Sequence, residues 1–412
     1  MKVVHFALAL LAITVFEDTP KPVVDWFAEA KKHAVSPQEI VARPVGEASA
    51  RVVMVGRAFA GTAELARFEG TIAACATAND VLALDCGYRE GEELERWVRT
   101  GVGDVDKLLA DCHAFGWNVS AARTWLTDLS KREAKPKLVG IATGDPRAAC
   151  TEVLSYISKV DPDALPRAEH ALRPLSVDGR NGEAAYFQLD DNQRVVLRLA
   201  LEETLGLFRD AEAQYTTKSS AAEFAGHSRL LIGLSQYEEV MRFERDNGEH
   251  DPRGRIMAEN ALVALKNRPE TGRLFAFVGL RDLARASDAD SFAAQFKGLG
   301  GEPFVAVATA CGSAEFLALD PNATTKRIPR ALKISLADAG PLERAFAHAS
   351  GDAAWILDLR VKPADANVTA WFAEHRSLRS ADDVCGAASE TPWDHEVLVD
   401  FDAIAWFPTL SR

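Results

Sequence analysis

The 412-residue chain has few cysteines, and none is placed for metal. Cys75, Cys86, Cys112, Cys150, Cys311 and Cys385 include no C-x-x-C pair. The usual zinc spacings are therefore absent, and neither a metal nor any other cofactor is expected. The six are read as free thiols that serve as small apolar side chains. No segment approaches the roughly 20 apolar residues needed to cross a bilayer. There is no long basic run, and the formal net charge is −13 at pH 7. That balance excludes a nucleic-acid or anionic-membrane surface and leaves a small-molecule ligand, neutral or cationic, as the partner class. No G-x-S-x-G elbow presents a serine nucleophile. Gly298-Leu299-Gly300-Gly301 is a loop signal, because no phosphate-binding G-K-[ST] follows a strand there. The nine histidines are His5, His33, His113, His170, His227, His250, His348, His375 and His395. None ends a predicted strand, and each reads as a surface or capping residue; His113, which precedes a turn, comes nearest to an exception.

At 48% hydrophobic, the chain can bury a large core, and its length suggests roughly two or three structural units. The most informative stretch runs from Val52-Val53-Met54-Val55-Gly56 through Arg57-Ala58-Phe59-Ala60-Gly61 to Thr62-Ala63-Glu64-Leu65. Four apolar residues end in glycine, and a loop then enters a helix. An α/β protein delivers residues to the carboxyl edge of its sheet in this way, and ligands bind there. Strand signals at 51–55, 81–84 and 137–143 alternate with helical patterns at 62–78, 92–100, 105–113 and 120–130. Residues 147–250 are almost wholly helical in pattern and read as an insertion, with a polar loop at 174–184. Strand signals return at 273–278, 304–308, 315–319, 333–336, 354–359, 396–401 and 403–407, with helices at 252–266, 291–299 and 342–349 between them. The expected fold class is α/β: a mostly parallel core sheet flanked by helices over 21–146 and 251–412, a helical insertion, and a mixed α+β C-terminal portion. Lys2 followed by the apolar run 3–16 reads as a possible signal peptide within 1–20, although Glu17, Asp18 and Pro20 follow it without an A-x-A-like site. Secretion or a periplasmic location is favoured over the cytoplasm, with a docked N-terminal helix or strand as the alternative.

An ordered series of stretches resembles the erythromycin esterase family. The family carries Gly-Glu-x-x-His-Gly-x-x-Glu where this chain has Gly56 to Glu64. Val81–Asp85, Glu90–Leu94, Trp97-Val98-Arg99-Thr100-Gly101, Trp117, Trp125-Leu126 and Leu138–Ile141 follow in the family's order. Arg253-Gly254-Arg255-Ile256-Met257-Ala258-Glu259-Asn260 resembles R-D-R-x-M-A-E-N, the most specific of the matches. Leu357–Arg360, Trp371-Phe372 with Arg376 and Arg379, and Phe401-Asp402-Ala403 complete a resemblance over roughly residues 20 to 410. It implies hydrolysis of an ester, typically a macrolide lactone, by water that the motif's Glu and His position and activate.

Those two positions hold Arg57 and Ala60. The strand that resembles W-A-H-N-x-H reads Leu274-Phe275-Ala276-Phe277-Val278-Gly279-Leu280-Arg281, without a histidine. An arginine that the family uses on its first helix aligns with Glu69, although Arg67 is nearby. The acidic residue after the third strand's glycine is Ala142. General-base catalysis needs a group that titrates near the working pH. Alanine has none, and an arginine stays protonated. No intact catalytic set is expected; the acid that the family carries at the end of the second strand is kept only as Asp85, the remaining catalytic candidate. Arg57, Glu64, Asp85, Arg255 and Glu259 are the candidate ligand-binding residues. Two readings stay open: a pocket in which Arg57 anchors a carboxylate, or ion pairs of Arg57 with Asp85 and of Arg255 with Glu259, four apart on one helix face. The functional expectation is an impaired esterase-like protein that keeps a small-molecule pocket; the alternative is an active hydrolase on macrolide-like esters using Asp85.

Overall fold

Short apolar runs closed by small or polar residues become the parallel strands of one eight-stranded sheet. The computed structural model describes residues 19–42, 44–45, 48–59, 61–112, 120–177, 185–246, 248–319, 329–374, 377–380 and 393–411. Residues 1–18 of the expected signal-peptide segment, Ala60, His113, Trp117, residues 178–184 of the expected 174–184 loop, His375, Arg376 and Cys385 lie outside the described residues.

The sheet strands are β1 (Val52–Arg57), β2 (Val81–Gly87), β3 (Lys137–Ala142), β4 (Leu274–Gly279), β5 (Phe304–Leu319), β6 (Pro329–Ile334), β7 (Trp355–Asp358) and β8 (Ala403–Leu410). The helices are α1 (Lys21–Lys32), α2 (Pro37–Ala42), α3 (Ala63–Ala73), α4 (Tyr88–Thr100), α5 (Val105–Asp111), α6 (Ser120–Ser130) and α7 (Pro146–Val160). They continue with α8 (Leu165–Leu172), α9 (Asp191–Asp210), α10 (Glu212–Lys218), α11 (Ala221–Asp246), α12 (Pro252–Lys266) and α13 (Phe292–Gly298). The last three are α14 (Pro341–Ser350), α15 (Ala366–Glu374) and α16 (Val397–Asp400). Strand order is β3-β2-β4-β1-β5-β8-β7, with β6 paired to β5. The β3, β2, β4, β1, β5 and β8 ladders are parallel, while β7 and β6 run antiparallel to β8 and β5. This is an α/β fold with a mixed C-terminal edge. The central strand β1 is buried at all six positions, which explains why it reads as a continuous apolar run rather than an alternating one.

Two hydrophobic cores form. One lies on the two faces of the sheet and takes in Phe27, Phe277, Phe346 and Trp406. The other belongs to the helical stretch, where Val153, Tyr156, Leu201, Phe208, Tyr215 and Leu231 pack together. Close approach of α4 to the sheet depends on glycine: a Cβ on Gly91 would lie 2.0 Å from the Gly140 nitrogen in β3.

Two strand expectations change. The runs 304–308 and 315–319 are one sixteen-residue strand, β5. Gly312 between them marks a close approach and not a turn, since a Cβ there would meet the Pro408 carbonyl oxygen of β8 at 2.7 Å. Residues 396–401, which alternate like a strand, form the helical turn α16. The buried Asp400 carboxylate winds the segment by accepting from the backbone N–H of Glu396 (2.8 Å) and of Ala286 (2.7 Å) and from the Ser287 hydroxyl (2.6 Å).

Candidate functional site

β1 ends at Arg57, and the loop after it is fixed by its neighbours. Thr309 of β5 donates its hydroxyl to the Gly56 carbonyl (2.7 Å) and accepts from the Ala58 N–H (2.8 Å). Gly61 turns the chain into α3 with a φ of 78°, a left-handed conformation that favours glycine. Because β4 lies between β1 and β2, the Arg57 side chain must cross the end of β4 to meet β2. It does so, with Nε donating to the Val278 carbonyl (3.3 Å) and Nη2 to Asp85 Oδ2 (3.0 Å). Asp85 sits where the β2–β3 register shifts between Leu84 and Gly87, an irregularity of the kind that re-aims a side chain.

A third charged group completes the cluster. Glu69 of α3 is 3% exposed, and its Oε1 lies 3.6 Å from Arg57 Nε. That oxygen has no hydrogen-bond partner among the described residues. Burial pushes the Glu69 carboxyl up to about 7; Arg57 opposes the rise and Asp85 adds to it. Burial also raises Asp85, again against Arg57. One guanidinium faces two carboxylates, so the set holds a proton well above the usual carboxylate range. The deeper of the two, Glu69, keeps it near neutrality, while Asp85, 27% exposed, faces the carboxyl edge. Glu69 was visible in the sequence as an acid in an apolar helical stripe, four residues after Leu65 and three before Ile72. Where the resemblance expects Glu on the strand and Arg on the helix, the chain has Arg57 and Glu69. The two charges are exchanged and still face each other.

The other candidates are engaged elsewhere. Glu64 accepts from the Ser411 N–H (2.6 Å) and hydroxyl (2.7 Å), tying α3 to the end of β8. Arg255 donates to Glu259 (2.6 Å) along α12 and to Glu239 of α11 (2.6 Å), a partly exposed network. The same motif closes against the sheet through Asn260, whose amide donates to the Ile141 carbonyl (2.9 Å) and to Gln236 (3.1 Å). Gly254, where the family has Asp, leaves room for the Asp290 carbonyl, 2.0 Å from where a Cβ would stand. Among the tail motifs, Arg379 is buried against Glu343 (2.5 Å), and Asp402 accepts from the Ala306 N–H (2.8 Å), so both hold structure.

Beyond the ends of β2 and β3, under α11, lies a small cleft of about 30 Å³, room for little more than a water molecule. Tyr88, Glu90, Gly144, Asp145, Arg229 and Asn260 line it. Sequence reasoning did not single out Tyr88, which opens α4, or Arg229, since α11 carries no pattern that marks one of its arginines over another. Among the described residues, no group of three His, Cys, Asp or Glu side chains is placed to hold a metal ion. Cys75, Cys86, Cys112, Cys150 and Cys311 are free thiols. No described helix is long and apolar enough to cross a membrane.

The erythromycin esterase family model matches residues 79–410, beginning after the altered first motif. No curated protein gives a match. Among solved structures, the fold is similar to that of a Bacillus cereus protein (16% identity, TM-score 0.74, 94% of this chain and 98% of that one). It is also similar to a succinoglycan biosynthesis protein (14%, TM-score 0.69, 95% and 98%). A third is a mutant of the erythromycin esterase EreC in its open conformation (15%, TM-score 0.67, 88% and 91%). At such identities these likenesses concern the fold. With the family model spanning most of its length, the chain belongs to the erythromycin esterase family.

Proposed function

We propose that this chain is a ligand-binding member of its family in which histidine-based ester hydrolysis is lost. The observation that carries the reading is Arg57. The strand end that the resemblance reserves for a proton-handling carboxylate holds a guanidinium fixed by Asp85 and the Val278 carbonyl. An arginine cannot accept a proton from water. The described histidines are occupied elsewhere: His227 stacks on Tyr156 at 4.2 Å, His250 lies 3.4 Å from Asp290, and His395 is buried 3.8 Å from Asp400. His33 lies beside Glu29, and His170 and His348 are exposed on helices. The carboxyl edge of the sheet, where Arg57 meets Asp85, is where this fold class takes a ligand.

A second reading has one observation in its favour. A carboxyl that titrates near 7 beside a half-buried Asp85 has the proton affinity general-base catalysis wants. In that reading Asp85 orients water, Glu69 stores the proton, and turnover of macrolide-like esters survives at a low level. Incubation with erythromycin and with p-nitrophenyl acetate separates the two. The binding reading expects no turnover above the buffer rate. Turnover that Asp85→Asn abolishes establishes the second reading in its place.

A further inference from the structure

A groove of about 650 Å³ runs between α1 and the edge strand β7, a size within the usual range for small-molecule sites. β5 and β8 separate it from β1, so it lies three strands along the sheet from Arg57. Its floor is apolar, with buried Leu357 from β7 and buried Val35 from the turn after α1. The Val35 N–H donates to the Ile356 carbonyl (3.3 Å), which covers part of the strand edge. Trp26, Glu29, Ala30 and His33 follow the i, i+3, i+4, i+7 spacing of one helix face, and all four line the groove. The half-buried Trp26 ring is fixed edge-on against Phe27 (5.1 Å) and Phe372 (5.4 Å). Val361, 70% exposed, stands opposite α1.

The charge of the lining is acid. Glu29, Glu39 and Asp358 face one lysine, Lys362, whose Nζ is turned to the Leu398 carbonyl. Asp358 is held by both prongs of Arg360 (2.9 and 3.1 Å). Glu39 is fixed in place by accepting from the Ser36 N–H (2.7 Å). Glu29 meets Lys32 (2.5 Å) and His33 (3.5 Å) along α1. Those side chains are largely exposed, and exposed pairs contribute little, so a ligand cation can take the place of the lysine. The hydrogen bond from Lys32 holds the Glu29 carboxyl below its ordinary value, and it stays ionised.

We propose that the groove between α1 and β7 binds a small organic ammonium ion. The cationic head lies between the Trp26 ring and the Glu29 carboxylate, and the apolar body lies against Val35, Leu357 and Val361. This is a second site, and it does not depend on the reading given to the Arg57–Asp85 edge. The lining selects the chemistry in three ways. Indole is the side-chain ring that attracts a cation most strongly. An anion would meet three carboxylates and a lysine whose ammonium is turned away. A bare metal ion finds no ligand set, since among the described residues no three His, Cys, Asp or Glu side chains are placed to hold one.

The test is a ligand-observed NMR titration of the full chain with benzyltrimethylammonium, with uncharged benzyl alcohol and with benzoate. It is run on the wild type, Trp26→Leu, Glu29→Gln and Val361→Lys, each checked for folding by circular dichroism. Glu29 and Val361 are exposed, so their variants decide the matter if Trp26→Leu fails to fold. The ammonium ion is expected to bind the wild type at least about fivefold more tightly than the alcohol, with benzoate weaker still. Trp26→Leu and Val361→Lys are each expected to weaken it by about fivefold or more, and Glu29→Gln by about twofold or more. Val102→Lys, at a valine 72% exposed just beyond α4, makes the same change of net charge away from the groove and is expected to bind as the wild type does. Equal losses in Val102→Lys and Val361→Lys would mean attraction to the acidic protein as a whole and overturn the site. Equal binding of ammonium and alcohol, preference for benzoate, binding unchanged in any folded variant of Trp26, Glu29 or Val361, or no binding at all overturns it too.

Discussion

A single guanidinium cannot neutralise two carboxylates, and Arg57 faces both Glu69 and Asp85. Replacing one partner of a buried ion pair costs about 3–5 kcal/mol, because the remaining charge is stranded. Arg57→Glu would gather three carboxylates and is expected to lower unfolding free energy by that much in urea. Adding Glu69→Arg to the same chain should recover most of the loss, since it only reverses an exchanged pair; a double variant as unstable as the single one contradicts the exchange. The pH dependence follows from the same cluster. Glu69 titrates at about 7 when folded against an ordinary value of 4.5, so the folded chain holds a proton across that window which the unfolded chain has released. Its contribution to stability is present in full below about 4.5 and lost above about 7. Between those limits the wild type should lose a few kcal/mol relative to Glu69→Gln in parallel urea titrations. Parallel stability curves for the two proteins would show that Glu69 ionises normally.

At the scale of elements, the sequence shows most clearly where one chemical pattern serves one purpose. The strand–loop–helix unit around Gly56 and the β2 and β3 runs are legible from their apolar runs, and α12 from its apolar pattern together with its Asp251 cap. Residues 396–401 misled because Glu396-Val397-Leu398-Val399-Asp400-Phe401 alternates, while the turn is set by Asp400 bonding to Ala286 and Ser287, more than a hundred residues away. No local signal records that partner. The candidate site was legible in part for the same reason. Asp85 and Arg57 end neighbouring apolar runs, but Arg229 depends on how α11 lies over β2 and β3. Glycine behaves likewise: its reason is visible only in contacts. Gly91→Ala would drive a methyl into the Gly140 backbone and is expected to cost at least about 1–3 kcal/mol in thermal or urea unfolding. Gly226→Ala, on α11 with open space around it, is expected to stabilise the protein by about 0.5–1 kcal/mol. Equal effects at the two positions would contradict the contact account.

For the whole molecule, the arrangement is a sheet core and a helical core meeting at the carboxyl edge of the strands. The charged cluster closes the ends of β1, β4 and β2, and the cleft opens beside it between β2, β3 and α11. In this arrangement the altered motif forms a buried charge cluster at the end of β1, and the small cleft lies a few residues along the same edge. The most direct test is an initial-rate measurement of p-nitrophenyl acetate and erythromycin hydrolysis from pH 5 to pH 9, with wild type and Asp85→Asn side by side. The account predicts rates equal to buffer for both proteins at every pH. A wild-type rate above buffer that rises through pH 7 and vanishes in Asp85→Asn would contradict it.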